Sequence, residues 1–229
     1  MEFLPNGFTL SLADGVFPLS TDSMALAHFV RLPPRARVLD LGSGCGTLGL
    51  LLCAGNGSCH VTGIELEQTA HAAALDNIAR NRIPDRMESI CADLRQVPAL
   101  FPSGSFSCCV SNPPYFSGGP ASQTHTAARR EDLCSLPDLM KSAAWALKYG
   151  GDFFLVHRPE RLGEIIATAS RHKLEAKRLC LLRHRESGPV SLILIQLRKG
   201  ARPGLTWEEA SLHQPDGTPT ETYKAIYHI

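Results

Sequence analysis

Short apolar runs alternate with amphipathic segments along most of the chain. The runs have the length of buried strands, whereas the segments between them repeat their apolar residues at helical spacing. The runs predict strands at residues 38–40, 59–64, 87–92, 106–110, 152–157, 175–182 and 190–197. The intervening segments predict helices at residues 47–54, 69–80, 136–147 and 160–169. This alternation, followed by two successive strands, predicts an α/β fold with a mostly parallel sheet whose last strand is antiparallel.

Length and composition fit one compact domain over residues 1–229. With 44% hydrophobic residues, the chain can bury a sizeable core. No run approaches the roughly 18 apolar residues needed to span a bilayer, and the first residues lack the pattern of a secretory signal. We therefore expect a cytoplasmic protein without membrane association. The eight cysteines contain no Cys-x-x-Cys pair, so buried free thiols are expected and no metal site is predicted.

A glycine-rich turn follows the first predicted strand. The strand ends at Asp40, and Gly42 and Gly44 then permit a tight turn and the close approach of a ligand to the backbone. Glu65, at the end of the second strand, is placed to accept the ribose hydroxyls of a nucleoside. Asp93, after the third strand, could accept an adenine amine. Because Asp40 suits an ammonium group better than a diphosphate, the pattern favours S-adenosylmethionine over NAD as the cofactor.

A second motif, Asn112-Pro113-Pro114-Tyr115, follows the fourth strand. Two prolines fix an extended turn and remove two donors, so the Asn112 oxygen and the Pro113 carbonyl can act as paired acceptors for a planar NH2 group. Tyr115 offers a ring on which a substrate base could stack. Asn112 is also expected to line the cofactor pocket. The alternative interpretation is a Pro-Pro turn with a core tyrosine.

Together these motifs resemble the class I S-adenosylmethionine methyltransferases, and the four-residue string resembles the active-site motif of their amino-methyltransferases. The segments 17–26, 157–161 and 223–227 further resemble the bacterial tRNA (adenine-N6)-methyltransferases that modify adenine 37 of valine tRNA. The resemblance covers nearly the whole chain. It implies a Rossmann-like sheet of seven strands in the order 3-2-1-4-5-7-6, with helices on both faces. Residues 1–35 would be an N-terminal extension that borders the active site.

Charge adds candidate contacts to RNA. The net charge is only +1, but residues 141–229 hold 14 Lys and Arg against 9 Asp and Glu. A local basic patch suffices for contacts to phosphates. The candidates are Arg129, Arg130, Lys177, Arg178, Arg183 and Arg185. Basic residues also occur at helix ends and on edge strands merely for solubility, and the sequence leaves both interpretations open.

A long irregular stretch, residues 117–130, follows the second motif. Loops of this length in compact domains are usually functional or disordered. One interpretation is a lid over the target base. The other is a surface connection without a role.

The resemblance implies methyl transfer from S-adenosylmethionine, with S-adenosylhomocysteine as product, to the N6 amine of an adenine in RNA, most narrowly adenine 37 of a tRNA. The amine can be activated by position and aligned dipoles alone, so neither His125 nor His157 is assigned as a base. Methylation of a protein glutamine or of a ribosomal RNA guanine remains an alternative. A non-catalytic RNA-binding module is a third possibility, although the intact motifs disfavour it. The sequence does not decide the oligomeric state, with a monomer favoured.

Overall fold

The computed structural model describes residues 2–11, 19–113 and 135–228. Within them, eight strands form one large sheet, and a two-stranded hairpin lies near the N-terminus. The hairpin strands are β1 (Glu2–Phe3) and β2 (Thr9–Leu10). The strands of the large sheet are β3 (Arg37–Leu41), β4 (His60–Glu65), β5 (Met87–Cys91), β6 (Phe106–Ser111), β7 (Leu147–His157), β8 (Leu174–Arg185), β9 (Val190–Lys199) and β10 (Thr206–His213).

The spatial order of the large sheet is β5-β4-β3-β6-β7-β9-β8-β10. Strands β3 to β7 are parallel, and β9 is antiparallel to both of its neighbours. If β3 is counted as the first strand, the first seven strands have the order 3-2-1-4-5-7-6 with the seventh antiparallel. The fold class predicted from the sequence is therefore confirmed.

The predicted number of seven strands is wrong, because β10 adds an eighth strand at the edge of the sheet. It pairs in parallel with β8, from Thr206 opposite Arg178 to His213 opposite Arg185. Its sequence, TWEEASLH, is largely polar, and its first four residues are exposed. An edge strand pairs with a neighbour on one side only, and polar or charged residues are common along it. The hydrophobic pattern therefore contains no signal for this strand.

Helices cover both faces of the sheet. They are α1 (Thr21–Phe29), α2 (Thr47–Gly55), α3 (Gln68–Arg80), α4 (Val97–Leu100), α5 (Leu136–Ala146), α6 (Leu162–Arg171) and α7 (Glu221–Tyr227). Val38 and Val110 pack into a core with α1 and α2, whereas Leu39 and Cys109 pack into a second core with α5 and α6. Since both faces are buried, the central strands appear in the sequence as continuous apolar runs.

Side chains fix the starts of several helices. Ser20 accepts a hydrogen bond from the Ser23 amide at the start of α1. Ser135 and Asp138 form a reciprocal capping box at the start of α5, and Thr220 caps α7. Such caps satisfy backbone amides that have no partner within the helix. The first turn of α1, which reaches the site described below, is therefore held in place.

Asn77 of α3 and Asn81, which caps its C-terminal end, attach the N-terminal segment to this helix. Asn81 exchanges two hydrogen bonds of 2.8 Å with the backbone of Thr9. Asn77, which is fully buried, exchanges two of the same length with the backbone of Ser11. Its amide also donates to the Cys45 carbonyl at 3.0 Å. Asn77 thus connects the N-terminal segment to the glycine-rich turn.

The cysteines within the described ranges are free thiols, and all of them except the exposed Cys91 are buried. This agrees with the prediction of buried free thiols. Cys134 lies outside the described residues. Among the helices that the structure describes, none is long and apolar enough to cross a membrane.

Candidate functional site

The predicted polar residues meet at the carboxyl ends of β3, β4 and β6. Asp40 of β3 lies opposite Gly63 of β4 and Val110 of β6. Glu65 ends β4, and Asn112 directly follows β6. In open parallel sheets, ligands bind outside the carboxyl ends of the strands, at the point where the strand order reverses. That point lies here between β3 and β6, so the two sequence motifs form one site.

The glycine-rich turn leaves its backbone open on one side. Gly42 and Gly44 have φ angles of 77° and 56°, and a β carbon at either position would meet no atom within 4 Å. At Gly46, where φ is 84°, a β carbon would lie 2.9 Å from the Met87 side chain. Gly42 and Gly44 therefore let a ligand approach the main chain, whereas Gly46 allows α2 to pack closely on the sheet.

Glu65 holds this turn against β4. Its carboxylate accepts the Gly44 amide at 2.7 Å and the Glu67 amide at 2.8 Å, and the side chain is largely buried. Each carboxylate oxygen retains a further lone pair. Glu65 can therefore accept a ribose hydroxyl, as the sequence predicts, while it also positions the turn, which the sequence did not indicate.

Two buried oxygens beside the turn, Asp40 Oδ2 and Ser43 Oγ, have no hydrogen-bond partner among the described residues. Burial, with a smaller contribution from the Glu65 carboxylate, raises the pKa of Asp40 to about 7, against the lowering effect of a hydrogen bond to the Gly49 backbone. Two neighbouring carboxylates and two unsatisfied oxygens suit a cationic ligand that carries donors. They do not suit a diphosphate.

Asp93 follows β5 but already has a strong partner. Its carboxylate accepts the Arg95 amide at 2.8 Å and forms a two-pronged ion pair with the Arg95 guanidinium. Arg95 also lowers the pKa of Asp93. An adenine amine that bound to Asp93 would therefore share the carboxylate with Arg95.

The Asn112 side chain is oriented by α1. Its Nδ2 donates a hydrogen bond of 2.9 Å to Ser23 Oγ, and Ser23 is only 7% exposed. Because the amide nitrogen is engaged, Oδ1 is the atom of this side chain that can accept a hydrogen from a substrate amine. Ser23 belongs to the segment 17–26, and the sequence analysis assigns it no individual role. Pro113, the other predicted acceptor, is buried beside Asn112.

Other predicted site residues lie elsewhere. Tyr115, Arg129, Arg130, His125 and the stretch 117–130 are outside the described residues. His157 ends β7 and is fully buried, and its Nδ1 accepts the Arg158 amide at 2.8 Å. Burial, together with the charge of Arg161, lowers the pKa of His157 to about 4. At neutral pH this imidazole is therefore neutral and weakly basic.

The four described candidate RNA contacts do not form one surface. Arg178 and Arg183 pair with Glu208 and Glu209, which are successive residues of β10 and therefore point to opposite faces of the sheet. The Arg178 guanidinium carbon lies 4.3 Å from the ring centroid of Phe29 in α1, and the side chain donates to the Phe29 carbonyl at 3.4 Å. Arg178 also pairs with Glu208 of β10 at 3.5 Å. Its contacts are those of a packing residue.

Arg183 is likewise engaged, pairing with Glu209 of β10 at 3.0 Å and donating to the Gly188 carbonyl at 2.7 Å. Lys177 Nζ donates to the Arg202 carbonyl at 3.1 Å. Arg185, at the end of β8, is exposed. The acidic residues of β10 therefore offset much of the positive charge that the sequence assigns to this region.

The fold and the site define a class I S-adenosylmethionine-dependent methyltransferase. The strand order, the open glycine turn and the two carboxylates suited to a cation all fit this cofactor, which carries both a sulfonium and an ammonium group. The chain matches the family described as "Methyltransferase small domain" over residues 15–168, and it belongs to that family.

Relatives extend this likeness over most of the chain. The "tRNA1(Val) (adenine(37)-N6)-methyltransferase" of Vibrio parahaemolyticus is 31% identical over 214 residues, 92% of this chain and 87% of the relative. The protein of the same name from Photobacterium profundum is 29% identical over 213 residues, 91% of this chain and 88% of that one. The predictions of an S-adenosylmethionine-dependent N-methyltransferase and of its methyl donor are confirmed.

A solved structure supports the fold. The crystal structure of a predicted O-methyltransferase from Agrobacterium tumefaciens has a TM-score of 0.76 and 24% identity to this chain. The match covers 90% of this chain and 95% of that one. At this level of identity the likeness concerns the fold alone.

Proposed function

We propose that this protein methylates the N6 amine of an adenine in RNA, and that the substrate is adenine 37 of a tRNA. The observation that carries the proposal is Asn112 at the point where the strand order reverses, with its amide nitrogen fixed by Ser23. The relatives named for this reaction cover nearly the whole chain. The paired acceptors of this motif, the Asn112 oxygen and the Pro113 carbonyl, suit a substrate with a planar amine.

Asn112 and Pro113 position the reacting nitrogen. Asn112 Oδ1 and the Pro113 carbonyl accept the two hydrogens of the adenine NH2 group and so fix the plane in which it lies. The same oxygens stabilise the positive charge that develops on the nitrogen. A strong base is unnecessary because the nitrogen becomes acidic as that charge grows, and its proton passes to water. His157 is not assigned as a base, because its lowered pKa makes the imidazole only weakly basic.

The glycine turn and its carboxylates hold the cofactor. Gly42 and Gly44 offer open backbone, Asp40 would face the ammonium group, and Glu65 would accept a ribose hydroxyl while it holds the turn. Asp93 would contact the adenine amine of the cofactor alongside Arg95. When bound, S-adenosylmethionine supplies an electrophilic methyl group on its sulfonium sulfur.

The target base must reach the site unstacked. Unstacking costs least in a single-stranded loop, such as the anticodon loop that contains position 37. Tyr115 is proposed as the stacking platform for this base. Stacking on the ring face predicts that Tyr115→Phe retains activity and Tyr115→Ala loses it.

The direct test is methyl transfer from labelled S-adenosylmethionine to total tRNA and total ribosomal RNA, followed by nucleoside analysis. We expect N6-methyladenosine in tRNA. A valine tRNA transcript should accept label, whereas the same transcript with guanine at position 37 should not. Label found only in ribosomal guanine or in protein glutamine would contradict the proposal.

A variant tests the role assigned to Asn112. Asn112→Ala should abolish methyl transfer and leave the affinity for S-adenosylhomocysteine, measured by calorimetry, nearly unchanged. Glu65→Ala is the matched opposite case, because it should weaken cofactor binding strongly. If Asn112→Ala turns over at close to the wild-type rate, the proposed mechanism is wrong.

A further inference from the structure

A cavity of about 400 Å³ lies at the amino-terminal ends of β6 and β7, whereas Asn112 lies at the carboxyl-terminal end of β6. Its lining combines four basic side chains with two aromatic rings: Lys141, His172, Lys173, Lys199, Trp145 and Tyr149. No acidic residue belongs to this lining among the residues that the structure describes. Glu175 lines a neighbouring cavity next to Tyr149.

Hydrogen bonds fix both rings. The Tyr149 hydroxyl donates to the Gly200 carbonyl at 2.7 Å, and Trp145 Nε1 donates to the Phe101 carbonyl at 3.0 Å. Glycine at position 200 makes room for the tyrosine, since a β carbon there would lie 2.1 Å from the Tyr149 ring. Tyr149 is nevertheless 79% exposed and Trp145 40% exposed. Fixed and exposed rings of this kind are suitable surfaces for stacking a planar group.

The basic residues complement an anion. Lys141 and Lys173 are exposed at the cavity. Lys199 is held there by the hydrogen bond of 2.7 Å that its Nζ donates to the Leu147 carbonyl. Lysine ammonium groups act as compact point charges for phosphate. The rings and the lysines together suit a ligand that is both planar and negatively charged.

We propose that this cavity binds a nucleoside phosphate, with the base on Tyr149 and Trp145 and the phosphate facing the lysines. The site is separate from the methyl-transfer site. β6, which runs from the cavity to Asn112, has 6 residues, about 20 Å at roughly 3.3 Å per residue. The nucleotide can be a free metabolite or an unpaired nucleotide of a bound RNA, since both present the same chemistry.

Calorimetric titration with UMP, uridine and inorganic phosphate tests this site. Saturating S-adenosylhomocysteine keeps nucleosides out of the cofactor pocket. We expect UMP to bind more tightly than uridine or phosphate. Tyr149→Ala should weaken UMP binding by about 5- to 160-fold, the range expected for loss of one stacking partner. Tyr149→Phe should retain most of the affinity.

Two matched controls separate this site from general surface effects. Lys141→Gln should weaken UMP binding. Lys148 is exposed but lies outside the cavity, so Lys148→Gln should not. Trp207→Ala, a 65% exposed aromatic residue on β10, should likewise have no effect. If UMP binds no more tightly than uridine, or if Tyr149→Ala and Lys141→Gln behave like these controls, the proposal fails.

Titration of tRNA distinguishes the two sources of the nucleotide. If the nucleotide belongs to RNA, Tyr149→Ala and Lys141→Gln should weaken tRNA binding as well as UMP binding. If it is a free metabolite, tRNA binding should be unchanged while UMP binding falls. Either result leaves cofactor affinity intact, so failure of this site and failure of the proposed methylation are separable.

Discussion

Asp40 should make both stability and cofactor binding depend on pH near neutrality. Its side chain is 1% exposed, and its pKa is raised from 3.8 to about 7, chiefly by burial and then by Glu65. A carboxyl group with a raised pKa binds its proton more tightly in the folded state than in the unfolded state. The folded protein is therefore favoured most below pH 3.8, and this advantage disappears as the pH rises to about 7.

The size of the effect follows from the pKa shift. One pKa unit corresponds to about 1.4 kcal/mol, so the full shift corresponds to about 4 kcal/mol between acidic and neutral pH. Between pH 5 and pH 8 the free energy of unfolding should fall by about 2–3 kcal/mol through this group alone. Asp40→Asn removes the titration and should remove that fall.

Urea unfolding of the wild type and of Asp40→Asn, measured at half-unit steps from pH 5 to pH 8, isolates the contribution of Asp40. The difference in unfolding free energy between the two proteins should change with pH up to about 7 and then become constant. Glu65→Gln should shift the transition to lower pH because it removes the second cause. A difference that is constant from pH 5 to pH 8 would refute the assignment.

The same titration should couple to the cofactor. A cationic ligand favours ionised Asp40, so binding below pH 7 should release a proton, and affinity should increase with pH up to about that value. Calorimetry in buffers of different ionisation enthalpy measures the number of protons released. Asp40→Asn should bind without this release.

Three further outcomes are expected. Ser23→Ala should lower kcat by about 10-fold or more, because Asn112 loses its orienting partner, while Ser23→Thr restores activity and the cofactor Kd stays unchanged in both variants. Arg178→Gln should lower the free energy of unfolding by about 1–2 kcal/mol, since it removes a ring contact and a hydrogen bond to α1, whereas Arg183→Gln should change stability by less than about 1 kcal/mol. Gly63→Ala should weaken cofactor binding, because a β carbon at position 63 would lie 2.6 Å from Ser43 Oγ in the glycine turn. Urea unfolding measures the changes in stability, and calorimetry measures the changes in cofactor affinity.

The sequence predicts the centre of this fold well and its edge poorly, for a physical reason. β3 and β6 are buried on both faces, so their apolar runs have few alternative interpretations. β10 exposes the first four of its residues and carries Glu208 and Glu209 on opposite faces. Its pairing partner lies more than 20 residues upstream. No local pattern could have indicated that these acids neutralise Arg178 and Arg183.

The site shows the same division between local and distant information. Asp40, the glycine turn and Asn112 were found because each lies at the end of a recognisable strand or directly after it. Ser23 was missed because its importance depends on a contact with a residue 89 positions away. Glu65 was found, but its bonds to the turn are visible only when β4 and the turn are brought together.

The contacts of α1 explain why distant parts of the chain can affect the candidate catalytic asparagine. Tyr227 of α7 lies 2.7 Å from the hydroxyl of Thr21 at the start of α1, and Arg178 of β8 contacts the other end at Phe29. Ser23 lies between these two anchors and holds Asn112. α7 and β8 therefore both contact α1, and through Ser23 this helix positions the Asn112 amide. The strand supplies the acceptor, and α1 determines its direction.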